Sequence, residues 1–329
     1  MSLIVAAHDE ADVIGRWVEM ALALDYTPEL LEVVVACDGC GDDTAERARA
    51  AGAHRVLELE RGGKVAALNA AVAEARGTVF AFSDANSAWR PGALRQLVAR
   101  LDEEGVGYVC GLVRFTAPAG ADNQEGLYWR YEMAVRRMES SLGGITAGNG
   151  AINAIRRQAY IALEPTRGQD ISFPFELAKR GWRSVFEPRA AATEPMAPTI
   201  EGEFRRKRRM MAGAWNTILH TGLLSPRGYA PLYTLEIYSH RLLRYLTPLF
   251  HLVALATNVA LIGEGGVYVV ALIAQLGLLG AALLGGVLPL RALRIARYYA
   301  AVTAASAAGL WDVLRHGVPR TWERTEGTR

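Results

Sequence analysis

Val79-Phe80-Ala81-Phe82-Ser83-Asp84-Ala85-Asn86 is an apolar run of buried-strand length that ends abruptly in a carboxylate, a small residue and an amide. In open α/β sheets ligands collect beyond the carboxyl ends of strands, so a carboxylate placed there faces a crevice rather than the core. Asp84 offers hard oxygen to a divalent cation, and Asn86 offers a weaker carbonyl ligand two residues on. An aspartate that merely caps the next turn would look the same. This stretch alone does not separate the two readings.

Working outward, apolar runs alternate with helical patterns. Residues 3–6, 31–36 and 55–59 read as strands before it, with helices over 10–24, 44–51 and 64–75 between them. After it come a helix at 91–101, a strand at 106–115 and a long helix at 125–142 rich in aromatics and arginines. Strands at 151–155 and 184–187 flank a helix at 171–180, and a helix over 203–219 carries Arg205-Arg206-Lys207-Arg208-Arg209. This alternation predicts an α/β fold with a parallel-type sheet and helices on both faces. The loop Gly148-Asn149-Gly150 lets backbone approach a ligand closely, or is an ordinary turn before a strand.

The composition narrows the function. A net charge of +2 over 329 residues gives no reason to expect nucleic acid as a partner. Cys37, Cys40 and Cys110 are too few for a disulfide framework, and Cys37-x-x-Cys40 has no second ligand pair for zinc. No secretory segment is visible near Met1, which predicts a cytoplasmic first part.

Beyond Arg244 the chain turns apolar. Residues 245–262 are 18 residues without a formal charge, about 27 Å as a helix, and 267–290 is longer still. Arg241 and Arg244 precede the first stretch, Arg291, Arg294 and Arg297 follow the second, and the connecting loop holds no Lys or Arg. That pattern predicts a membrane hairpin with both ends cytoplasmic. Residues 298–314 are weakly apolar and read as interfacial, or as a third span that would place Arg315, Arg320 and Arg324 outside. The expected organisation is a soluble domain over 1–230 and a membrane domain over 231–329, a multi-pass protein of the cell membrane.

The order of these pieces resembles the family-2 glycosyltransferases, in particular the membrane-bound, synthase-like branch that includes cellulose and hyaluronan synthases. Ala6-Ala7-His8-Asp9-Glu10 looks like the family's opening segment, and Cys37-Asp38-Gly39-Cys40-Gly41-Asp42-Asp43-Thr44 is similar to its Asp-Gly-Ser-x-Asp-x-Thr turn. Gly63-Lys64-Val65-Ala66-Ala67-Leu68-Asn69 resembles the segment lining its donor pocket, and Asp84-Ala85-Asn86 stands where the family has Asp-x-Asp. Gln169-Asp170 takes the place of its Glu-Asp motif. Arg206-Lys207-Arg208-Arg209-Met210 falls where processive synthases carry Gln-x-x-Arg-Trp.

The resemblance implies a GT-A domain, a Rossmann-like mixed sheet that binds a nucleotide sugar, followed by membrane or interfacial helices. It implies Asp170 as general base, and Glu10, Asp38, Lys64, Asp84, Arg206 and Arg209 around the donor, with Asp38 on the uracil. Gly148, Asn149, Gly150 and Gln169 would lie toward the acceptor, and Asp84 with Asn86 would hold Mg2+ or Mn2+. Implied partners are a UDP-sugar, a lipid or lipid-linked glycan acceptor and membrane lipids. Asn86 and Met210 depart from the pattern. They leave open a processive polysaccharide synthase working as a homo-oligomer, and a catalytically silent nucleotide-binding regulator of a partner membrane protein.

Overall fold

The computed structural model describes residues 1–116, 125–195, 200–288 and 290–318. Strands β1 (Ser2–Ala7), β2 (Glu32–Asp38), β3 (Arg55–Leu59), β4 (Val79–Ser83), β5 (Ala88–Trp89), β6 (Val106–Thr116), β7 (Ile152–Arg156) and β8 (Arg183–Pro195) form one sheet in the order β3-β2-β1-β4-β7-β6-β8-β5. β1 to β4, β6 and β8 run one way; β7 and β5 run against them. The sheet is therefore mixed where strand–helix alternation alone suggested a parallel one. The reversal arises at β7, which the short 148–150 loop feeds in antiparallel beside β4.

Alternation along the strands fills both faces. Leu3, Val5, Val33, Val35 and Ala81 enter one core, against α1 (Ala11–Leu22), α2 (Thr44–Ala50) and α4 (Ala93–Leu101). Ile4, Val34, Phe80 and Phe82 enter the other, against α3 (Lys64–Glu74), α5 (Glu125–Leu142) and α6 (Gln169–Lys179). Strands covered on both sides can afford no polar residue until they end. The middles of β1, β2 and β4 are accordingly apolar, and Glu10, Asp38 and Asp84 come at or just past their carboxyl ends. Cys37 takes its place in this alternation as a buried core residue and is a free thiol.

A third core joins the sheet domain to the C-terminal helices. Phe175 of α6 packs with Trp215 and Ile218 of α7 (Ile200–His220), and with Tyr233 of α8 (Pro231–Glu236). Ile237, in the π-helical turn Ile237–Leu243, and Val313 complete the cluster. α9 (Thr247–Ala260) and α10 (Gly266–Leu284) follow, then α11 (Arg291–His316). α11 returns to lie along α7, where Trp215 Nε1 donates to Ser306 O at 3.0 Å and Arg208 makes a two-bonded pair with Asp312 at 2.6 Å.

The stretch expected as a first span, 245–262, forms a bent pair with the helix before it. α9 has 14 residues, about 21 Å, and bends by 64° from the 231–243 helix before it. Pro248 in its first turn supplies a start signal, so the uncharged stretch from 245 does not join the helix before it. Among the described residues α10 alone is a single helix long and apolar enough to cross a membrane. The 298–314 segment belongs to α11, whose buried Ala305, Ser306, Gly309 and Val313 show that one side is covered by protein. Arg320 and Arg324 lie outside the described residues.

Candidate functional site

Reversal of strand order between β1 and β4 opens a crevice at their carboxyl ends, the position where α/β sheets bind ligands. A cavity of about 820 Å³ occupies it and extends to α7 and α11. Glu10, Lys64, Asp84, Asn86, Gln169 and Asp170 line it, as do the 148–150 loop and Arg206 and Arg209. Asp38 does not.

Lys64 opens α3 and forms an ion pair with Asp84. Both are about two-thirds shielded from solvent. The turn ahead of Lys64 is held by Asp38, which is fully buried at the end of β2. Its carboxylate accepts from Gly62 N at 2.6 Å and Gly63 N at 3.0 Å, and lies 3.3 Å from Arg61. Asp38, expected at the uracil, has both oxygens engaged with the wall that presents Lys64.

Gly150 sits over the pair. A Cβ there would lie 3.0 Å from Lys64 Nζ and 3.5 Å from Asp84 Oδ2. Gly150→Val is therefore expected to fold and to weaken diphosphate binding by roughly tenfold or more, since the added bulk displaces a charge-assisted contact. Calorimetric titration with nucleoside diphosphate checks this, and unchanged affinity would remove the loop from the site. Gly148 is tighter still: its Cβ would lie 2.1 Å from the hydroxyl oxygen of buried Tyr108.

The amide of Asn149 is spent on structure. It donates to Gly111 O at 2.8 Å and accepts from Ile152 N at 2.8 Å, which pins the loop onto β6 and β7. Gly148 N then donates to Asp170 O at 2.6 Å, so the loop and the start of α6 move as one. Gln169 is buried in that first turn. Burial raises the Asp170 carboxyl above the usual aspartate range, and it wins over the backbone N–H of Ile171 and the positive charges of Lys64 and Arg241. Asp170 thus feels Lys64 from one element and Arg241 from another, while Lys64 pairs with Asp84.

On α7 the basic run is divided. Arg206 bonds Glu203 through two 2.8 Å contacts, and Arg208 is tied to Asp312. Arg209 is exposed at the cavity.

Three features were missed in the sequence reading. Glu194 lines the cavity from the end of β8, which continues past a bulge after Glu187. Ser87 donates to it, and burial together with the nearby negative charge of Asp84 pushes its carboxyl up to about 7. The apolar Ala190-Ala191-Ala192 after Pro188 was the available signal for that strand. Arg136 of α5 and Arg241 of the π-helical turn also reach the cavity, brought there by packing that no local pattern announces.

The sheet thus gathers a Lys–carboxylate pair at its switch point and a second, buried carboxylate in one cavity. Residues 1–213 match the family described as glycosyltransferase like family 2, and the chain belongs to it. The succinoglycan biosynthesis protein ExoU of Rhizobium meliloti (strain 1021) is 34% identical over 168 residues, 50% of this chain and 47% of that one. Glycosyltransferase AglE of Haloferax volcanii is 30% identical over 130 residues, 38% and 43% of the two chains. The chain thus spans less than half the length of these curated relatives. Among solved structures, the mannosyltransferase PcManGT from Pyrobaculum calidifontis, in complex with GDP-Man and Mn2+, superposes with a TM-score of 0.73 at 23% identity. That match covers 95% of this chain and 86% of the other, and it establishes a shared fold.

Proposed function

We propose that the chain transfers a sugar from a nucleotide diphosphate sugar to a hydroxyl of a membrane-associated lipid or lipid-linked glycan, with inversion at the anomeric carbon. The observation that carries the reading is the meeting of Lys64, Asp84, the 148–150 loop and Asp170 in one cavity. Resemblance favours a UDP-sugar. The structural relative holds GDP-Man, so both nucleotides belong in the first screen.

The donor's diphosphate would lie at the Lys64 end, where an ammonium on a helix start supplies a point charge to leaving oxygens. Asp170 would accept the proton of the acceptor hydroxyl as its oxygen bonds the anomeric carbon and the bond to the diphosphate breaks. Such a base typically contributes roughly 10²–10⁴-fold. Asp38 would act through the 62–63 turn, by holding Lys64 in place.

The residues present suit a divalent ion. Asp84, Asn86 and Glu194 are hard oxygen donors, and two carboxylates close enough to raise Glu194 are relieved by an added positive charge. Bound Mg2+ or Mn2+ would neutralise charge building on the departing diphosphate. The side chains' part is to hold that charge-accepting end in place.

The general base must be ionised to work, and its carboxyl is raised. The acid limb of kcat/KM is therefore expected above the ordinary aspartate value, with activity lost as pH falls through it. A flat profile down to the range of an unperturbed aspartate would count against Asp170 as the base.

The organisation we propose is a catalytic domain over 1–230 resting on the membrane, with α10 and the bent 231–260 segment as its attachment. One helix of spanning length among the described residues is little for lining a polymer channel, so single addition is the reading here. Product mass after incubation with labelled donor and membrane extract tests it. A single added sugar is expected; a ladder of polymers would contradict it.

A further inference from the structure

The cavity that holds Asp170 is also lined by members of a buried ionic cluster to which the transfer chemistry assigns no role. Arg136 and Arg241 are each nine-tenths or more buried, and both line the cavity. Arg241 donates through Nε to Thr146 Oγ1 at 2.8 Å, and its Nη1 is 3.7 Å from Glu132 Oε1. Its Nη2 has no hydrogen-bond partner among the described residues. Arg136 lies 3.9 Å from the same Glu132 oxygen, and its Nε is likewise without a partner.

Arg244 bonds the other oxygen of Glu132 at 2.6 Å, and Glu139 takes Thr146 Oγ1 at 2.7 Å and His240 Nδ1 at 2.6 Å. Among the described residues these three guanidinium groups meet Glu132 and Glu139, Asp170 lies within reach of the charge of Arg241, and His240 and Glu236 can add one charge of each sign. Guanidinium N–H groups without partners favour an oxyanion with several acceptor oxygens.

The cluster's position indicates what carries the anion. The turn bearing Arg241 runs directly into α9, where Leu249, Phe250, Leu252 and Val253 are 46–64% exposed. A charge-reading pocket at the head of an exposed apolar helix suits a phosphate joined to a hydrocarbon chain. We propose that Arg241 and Arg136 form a subsite for the phosphate of a phosphate-bearing lipid acceptor, which anchors it while a hydroxyl elsewhere on the same molecule meets Asp170. This deepens the proposed function and rests on it for the acceptor's role.

Isothermal titration of the full chain in neutral detergent tests the subsite, with decyl phosphate as probe and decyl maltoside and inorganic phosphate as controls. Decyl phosphate is expected to bind in the presence of saturating UDP and Mn2+, and to bind more tightly than either control. Arg241→Gln should weaken it roughly 10- to 100-fold, as expected for lost charge-assisted bonds, and leave UDP affinity alone. Arg136→Gln should act in the same direction. Displacement of decyl phosphate by UDP would overturn the proposal, because the phosphate would then be entering the donor site; this arm needs no variant. Equal binding of decyl maltoside or of inorganic phosphate would overturn it too, as would unchanged affinity in a folded Arg241→Gln protein. Failure of both UDP and GDP to bind would strike the donor reading instead.

Discussion

Asp170→Asn should cut transfer by roughly 10²–10⁴-fold while the donor still binds, because the amide keeps the carboxylate's shape and cannot accept the acceptor's proton. The arrangement supports this separation: Asp170 sits in the first turn of α6, whereas the ion pair that would meet the diphosphate is made by Lys64 of α3 with Asp84 after β4. A second consequence distinguishes a base from a structural residue. Burial raises the Asp170 carboxyl, so the folded protein binds its proton more readily than the unfolded chain. Ionising it therefore weakens the fold, and the protein gains stability as pH falls through that raised value. Asp170→Asn should accordingly melt at the same or a higher temperature than the parent at neutral pH. A variant that loses activity and stability together would mark a structural aspartate.

Asp84→Ala carries the other large effect. It removes the carboxylate opposite Lys64 and the strongest oxygen donor beside Asn86 and Glu194. Donor affinity measured with Mn2+ should fall at least tenfold, and transfer by roughly 10²–10³-fold, the scale of losing an electrostatic stabiliser of developing charge. The same substitution should remove much of the difference between assays with and without metal. Its loss should also let Glu194 ionise more easily, since Asp84 is part of what holds that carboxyl at about 7. Metal-dependent transfer at the parent rate in Asp84→Ala would take this residue out of the site.

Legibility followed the range of the interactions involved. β1, β2, β4 and β6 could be read from largely apolar runs, because a strand covered on both faces has no local alternative, and the half-buried edge strand β3 from Val56, Leu57 and Leu59. Asp84, Lys64 and Asp170 stood out because each follows or opens an element in a recurring order, and they do line one cavity. Asp38 had the right place in that order, but its orientation depends on Gly62 and Gly63, 24 and 25 residues away. The extent of β8 was hidden because Pro188 reads as a stop, whereas β6 resumes pairing beyond the bulge, from Leu112 opposite Ala191. Glu194 was lost with it. Arg241 and Arg244 read as charges flanking a span, and only the fold of α5 beneath them reveals Glu132 as their shared partner. The apolar tail gave composition without geometry, so neither the 64° bend nor the packing of α11 on α7 was accessible.

The most direct test of the central claim does not require the natural acceptor. Purified protein with Mn2+ and an α-linked UDP-sugar is expected to transfer slowly to water, and proton NMR reads the first-formed anomer before it equilibrates. Displacement from the face held by Asp170 predicts a β-sugar, formed by the parent and not by Asp170→Asn. An α-sugar as first product, or an equal rate in the variant, would contradict it.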